Sequence, residues 1–90
     1  VPSKYILGYN YPNPFNSQTV IKYYVDGESD VEVVVYNIGG RVVKNLVHSK
    51  KQKGWNKVIF NADQMSSGIY FYRLMNKGEV LSQKKMLLLK

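Results

Sequence analysis

An alternation of period two most constrains what this chain can fold into. Ile21, Tyr23 and Val25 share one side of an extended segment whose other side carries Lys22 and Tyr24. Val31, Val33 and Val35 alternate with Glu32, Val34 and Tyr36; Tyr70, Tyr72 and Leu74 alternate with Ile69, Phe71 and Arg73. In the run Trp55 to Phe60, Asn56, Val58 and Phe60 fall on one face. Successive side chains of a strand point to opposite sides, so each run predicts one buried and one wetter face. Tyr5 to Tyr9, a less regular run from Arg41 to Val47, and a last one from about Val80 to Leu89 bring the expected strands to seven. Valine, tyrosine and isoleucine dominate the apolar set and favour strands, while Ala62 is the only alanine. A helical reading lacks material.

Turn chemistry separates the runs. Pro12-Asn13-Pro14-Phe15-Asn16 excludes a helix, because proline fixes φ and biases the preceding residue towards extended geometry. Asp26 to Asp30 reads as a polar hairpin loop, and Asn37-Ile38-Gly39-Gly40 as a tight turn using glycine for positive φ. Lys50 to Gly54 is a basic loop, Ser66-Ser67-Gly68 ends an irregular stretch, and Asn76 to Glu79 is a hairpin turn. Seven short strands in 90 residues predict an all-β fold: a seven-stranded antiparallel Ig-like β-sandwich, with a small barrel as the alternative. Residues 5–90 read as one domain, and residues 1–4 as the stub of a linker to something upstream. Val1-Pro2-Ser3-Lys4 lacks the features of a signal peptide, so an export address is expected upstream in a longer precursor or in this domain itself.

Chemistry is sparse. No cysteine is present, which removes a disulfide framework, thiolate zinc ligands and a thiol nucleophile. No apolar run approaches the ~20 residues of a membrane-spanning helix. His48, the single histidine, has no neighbouring acid and reads as a surface residue. Asp26, Glu28, Asp30 and Glu32 cluster without the Asp-x-Asp-x-Asp-Gly order of a calcium loop, while Asp63 and Glu79 are isolated. Gly39-Gly40 precedes no helix, so no phosphate cradle is implied. An enzyme, a cofactor and a metal are therefore not expected. The net charge of +7 favours an anionic partner or surface. Eleven of the 13 cations are lysine and two are arginine (Arg41, Arg73), a ratio that argues against nucleic-acid reading. Among the aromatics, Tyr23, Tyr70, Tyr72 and Phe60 are expected in the core, and Trp55 and Tyr24 outside it. The closing segment Lys84-Lys85-Met86-Leu87-Leu88-Leu89-Lys90 is apolar and bracketed by lysines. As structure it reads as an inner strand; as a signal, as a strand that a receptor recognises by edge pairing.

Four segments together resemble a known family, the C-terminal sorting domains of type IX secretion. Tyr11-Pro12-Asn13-Pro14-Phe15-Asn16 with the strand Thr19-Val20-Ile21-Lys22-Tyr23 is similar to its opening motif. Val33 to Val43, with Tyr36-Asn37 and Gly39-Gly40, is similar to its central segment. Ser67-Gly68-Ile69-Tyr70-Phe71-Tyr72-Arg73-Leu74 resembles its Ser-Gly-x-Tyr-x-Tyr-x-Leu strand, and Lys84 to Lys90 its terminal motif. Ser17, Asp26 and Phe60 depart from the pattern, where proline, Leu-Pro and tryptophan are common.

The resemblance implies an Ig-like passenger address, without catalysis, at the C-terminus of secreted proteins of Bacteroidetes and their relatives. It implies as partners the outer-membrane translocon, a surface peptidase that removes the domain, an N-terminal cargo, and an anionic lipopolysaccharide to which cargo is joined. Localisation is then the cell surface or the medium. Lys84, Lys85, Met86, Leu87, Leu88, Leu89 and Lys90 are the expected recognition residues, with Leu87 to Lys90 at an edge and Lys84, Lys85 and Lys90 exposed. Pro12 and Pro14 would stiffen the first loop, Phe15 plug one end of the sandwich, and Gly68 turn the chain into the Tyr70/Tyr72 strand. The rival readings are an Ig-like accessory module that binds polysaccharide through Trp55, Tyr24 and the basic loop, and a hook-cap type assembly domain. Dimerisation through exposed edge strands is a further expectation.

Overall fold

The computed structural model describes residues 4–27, 29–51 and 53–90, excluding the side chains of Ser29 and of residues 48–51. Most of the expected stub, Glu28, the His48 side chain and much of the basic loop lie outside the described residues. Seven strands follow in chain order: β1 (Tyr5–Leu7), β2 (Gln18–Val25), β3 (Ser29–Asn37), β4 (Val42–Lys51), β5 (Gly54–Asn61), β6 (Gly68–Asn76) and β7 (Glu79–Leu88). They form two antiparallel sheets ordered β1-β2-β5 and β4-β3-β6-β7. Two separate sheets decide for the sandwich over the barrel. The division is Ig-like, with the fourth strand paired to β3 instead of β5.

The alternating faces meet where the sequence places them. Ile21, Tyr23, Val25 and Phe60 from one sheet pack with Val31, Val33, Val35, Tyr70, Tyr72, Leu74, Met86 and Leu88 from the other in one buried cluster. Each such side chain contributes roughly 1.5–3 kcal/mol by leaving water. The irregular pattern around Arg41–Val47 has a structural cause. The β3–β4 register slips between Val33 and Val34 and again between Val35 and Tyr36. Each bulge inserts a residue and breaks the alternation, so Val42 and Val43 are exposed while Val47 is buried.

One expectation needs correction. β7 is an edge strand, not an inner one, because it pairs in the sheet with β6 alone. Its mixed apolar character arises because Met86 and Leu88 face the core while Leu87 sits half-buried on the other face. The β3–β4 turn uses a glycine for positive φ, as expected: it is Gly40 (85°). The Gly39 and Arg41 N–H groups both donate to Asn37 Oδ1, each at 3.0 Å.

At the start of β6, Gly68 has φ 153°, a backbone that side-chain-bearing residues rarely adopt. A Cβ there would meet nothing within 4 Å, so the cost of adding one is conformational rather than steric. Gly68→Ala is expected to lose about 1–3 kcal/mol in urea unfolding. A loss below about 0.5 kcal/mol, the range of ordinary surface substitutions, would show that the strand start relaxes freely.

Candidate functional site

The segments singled out in the sequence converge on one end of the sandwich. β3 ends there, with Asn37 opposite Tyr70, and β6 begins there, with Gly68 opposite Leu88. The loop between β1 and β2 crosses the same end and binds the last strand. Phe15 N–H donates to the Leu87 carbonyl (3.0 Å), and Leu89 N–H donates to the Phe15 carbonyl (2.9 Å), forming a short parallel bridge. Asn13 Oδ1 accepts the Leu87 N–H at 3.1 Å. Both Tyr11-Pro12 and Asn13-Pro14 are cis. The Phe15 ring is buried and lies 5.9 Å from Phe60, so it does close this end of the core.

The tail is held from a second side. Lys90 N–H donates to Ser67 Oγ (2.9 Å), and Lys90 Nζ donates to the Asp63 carbonyl (2.5 Å), both in the segment joining β5 to β6. Ala62 N–H in turn donates to the Ser17 carbonyl at 2.8 Å, linking that segment to the first loop. At the junction lies a shallow cleft of ≈170 Å³ lined by Asn13, Ile69, Lys85, Met86 and Leu87. The Leu87 N–H and carbonyl and the Leu89 N–H are thus already paired within the chain, so a receptor strand added at these positions would have to displace the first loop.

Charge and exposure vary along the tail. Lys85 and Lys90 are exposed, as expected, and Leu89 is 53% exposed. Lys84 departs from expectation. It shares the core-facing side with Met86 and Leu88, is half-buried, and places Nζ 4.0 Å from the centre of the Tyr9 ring. A long aliphatic stem lets it lie along the sandwich while its ammonium reaches an aromatic face.

Tyr72 anchors the loop from below. Its hydroxyl accepts the Asn10 N–H (2.9 Å) and donates to the Gly8 carbonyl (2.8 Å). Burial pushes this phenol up to about 12, partly offset by the hydrogen bond from Asn10, with a further upward push from Tyr9. Tyr23, which has its own buried phenol, is raised for the same first reason. Tyr70 donates to the Ser66 carbonyl at 2.7 Å. Beside Tyr72, the Asn10 amide donates to Thr19 Oγ1 (3.1 Å) and the Pro12 carbonyl (3.2 Å), and Thr19 Oγ1 donates to the same carbonyl (2.9 Å). Among the described residues no group of three or more acidic, histidine or cysteine side chains is placed to hold a metal ion.

The model of the secretion system C-terminal sorting domain matches residues 10–88, which takes in the loop, the Asn37 turn, β6 and most of the tail. The chain belongs to this family. A sorting domain is a non-catalytic tail that marks a protein for export to the cell surface or for secretion. The chain is also similar to part of the dimeric latent PorU of Porphyromonas gingivalis, with a TM-score of 0.77 and 19% identity over 99% of this chain and 10% of that one. Part of the β-glucosidase of Kluyveromyces marxianus is similar too, with a TM-score of 0.62 and 12% identity over 98% of this chain and 14% of that one. At such identities the likeness is one of fold. The sorting domain spans about a tenth to a seventh of the length of these proteins. No curated protein sequence matches it.

The fold of the sorting domain gathers most of its motif residues. Asn13 and Phe15 bind the tail, and Pro12, Pro14 and Asn16 are exposed beside them. Gly39, Gly68 and Tyr70 surround the same end, while Tyr72 sits two residues deeper and holds the loop's base. Asn10 and Thr19 escaped sequence reasoning. A signal was present for Thr19, a polar residue in phase with the buried Ile21, Tyr23 and Val25. A polar side chain at a core position implies a hydrogen-bonded partner nearby.

Proposed function

We propose that this sorting domain directs an attached cargo through the type IX translocon, and that the translocon reads the loop 11–17 and the tail 84–90 as one folded surface. The observation that carries this reading is the bridge between Phe15 and residues 87–89, which joins two family motifs more than 70 positions apart. Lys85, Leu89 and Lys90 are the exposed side chains that this clamp presents at a fixed position. A lysine held in place offers an acidic partner more than one on a loose tail, because its ordering cost is met on folding. Removal of the domain by a surface peptidase after export belongs to the same reading.

The test is export of a reporter fused ahead of the chain in a host with type IX secretion. The double variant Lys85→Glu, Leu89→Glu changes exposed side chains and leaves the Lys90 contacts in place, so it should keep most of its melting temperature. Its export is expected to fall at least about tenfold, equivalent to ~1.4 kcal/mol of recognition. Asn13→Ala, which frees the Leu87 N–H without changing a tail side chain, should also reduce export. Undiminished export of both variants, with folding verified by circular dichroism, would rule out the composite surface. Failure of the unaltered chain to export the reporter would rule out the sorting role.

A further inference from the structure

The outward face of the three-stranded sheet carries Lys22, Tyr24, Trp55 and Lys57, which lie outside the loop 11–17 and the tail 84–90. In register across β2 and β5, Tyr24 faces Trp55, Lys22 faces Lys57, and Val20 faces Ile59. Two lysines directly opposite each other repel, and none of the register pairs along β2 and β5 includes an acid. The rings of Tyr24 and Trp55 meet edge to face at 5.6 Å, and Trp55 remains 59% exposed. Tyr9 and Tyr11, beside this face, are exposed by 78% and 81%. Two shallow depressions of ≈480 and ≈380 Å³ adjoin the lysine pair: the first includes Trp55, the second Tyr9 and Tyr11, and both include Lys22 and Lys57. The solvent face of an antiparallel sheet is ordinarily polar. Clustered rings and unopposed cations there are unfavourable for the isolated fold, and such patches mark contact surfaces.

We propose that this face binds an acidic polysaccharide, with sugar rings stacked on Trp55 and on Tyr9 or Tyr11 and their carboxylates paired with Lys22 and Lys57. Side-chain spacing along a strand puts the Tyr24–Trp55 cluster about 7 Å from the lysine pair, and Tyr9 and Tyr11 line the depression on the other side of that pair. That suits a polymer in which apolar ring faces and negative charges recur at short intervals. β2 is the central strand, hydrogen-bonded to β1 and β5, so an extended peptide could pair only at the outer edge of β5 and not across the lysine pair. The lysine pair sits in the middle of the aromatic surface and not at its rim, which opposes insertion into a bilayer. Neither arginine lies on this face: Arg41 precedes β4, and Arg73 is on β6, stacked 4.2 Å from the centre of the Tyr36 ring. Trp55, Lys22 and Lys57 lie outside the loop 11–17 and the tail 84–90, so variants at these three positions test this inference separately from the sorting role.

Isothermal titration of the 90-residue chain with alginate oligosaccharides tests the assignment, with neutral cello-oligosaccharides, polyglutamate and phosphatidylglycerol vesicles as competing probes. Alginate is expected to bind with an affinity that weakens as salt rises. Trp55→Ala and the double variant Lys22→Gln, Lys57→Gln should each weaken it about tenfold or more, a change of ~1.4 kcal/mol, with unaltered circular dichroism. Absence of alginate binding, equal binding of the neutral sugar, or unchanged affinity in these variants would overturn the proposal. Tighter binding of polyglutamate or of the vesicles would overturn it in favour of an acidic peptide or a lipid surface.

Discussion

Phe15→Ala is expected to destabilise the fold by about 3–5 kcal/mol and to lower its melting temperature by on the order of 20 °C. The ring is 2% exposed and packs 5.9 Å from Phe60, so truncation leaves a cavity where loop, β5 and β7 meet. The hydrogen bonds between Phe15 and residues 87–89 are made by the backbone and survive the substitution. The loss is therefore a packing loss. Asn13→Ala, by contrast, removes one neutral hydrogen bond near the surface and should cost about 0.5–1.5 kcal/mol. A domain of this size has only about 5–15 kcal/mol in total, so the alanine variant sits close to the folding threshold. Phe15→Leu, which refills most of the cavity, should recover much of the difference. Thermal melts of the three variants decide the matter, and a loss below about 1 kcal/mol for Phe15→Ala, the mean for point substitutions, would mean that the ring does not seal the core.

How much of this was legible beforehand depends on the range of the interaction. The faces of β2, β3, β5 and β6 were readable because alternation is local, and burial of Ile21, Tyr23, Val25 and Phe60 follows directly from it. Family motifs identified the loop and the tail as important but said nothing of their contact. Asn13 and Leu87 meet through a side-chain oxygen and a backbone N–H across 74 positions, and such a pair leaves no periodic trace. β7 looked like an inner strand because Met86 to Leu89 is apolar throughout. The apolar outer face is explained by neighbours on the same sheet, Ile69 lying opposite Leu87, and not by a further strand. Bulges hid β4 for a similar reason, since each one resets the phase that alternation relies on. The Gly39-Gly40 pair showed that a turn was present, but which glycine takes positive φ was settled by the Asn37 carboxamide that both flanking N–H groups share.

Tyr72 sets an alkaline limit on stability. Its phenol is fully buried, and its pKa stands at about 12 against an ordinary value of 10.0. The folded state therefore holds this proton more tightly than the unfolded chain does. The resulting stabilisation, roughly 2–3 kcal/mol at ~1.36 kcal/mol per pH unit, is fully present below pH 10 and is lost as pH rises towards 12. Tyr23 contributes in the same direction. Tyr72→Phe removes the ionisable group together with the acceptor for Asn10 N–H and the donor to Gly8. At neutral pH the variant should be about 1–3 kcal/mol less stable, because those two backbone groups lose their partner. Between pH 10 and 12 its stability should fall less steeply than that of the unaltered chain, so the two curves converge. Urea unfolding across this range, with phenolate absorbance followed in parallel, measures both effects. Curves that stay parallel would mean that the hydroxyl is in contact with solvent and that the base of the loop is held by the Asn10–Thr19–Pro12 hydrogen bonds alone.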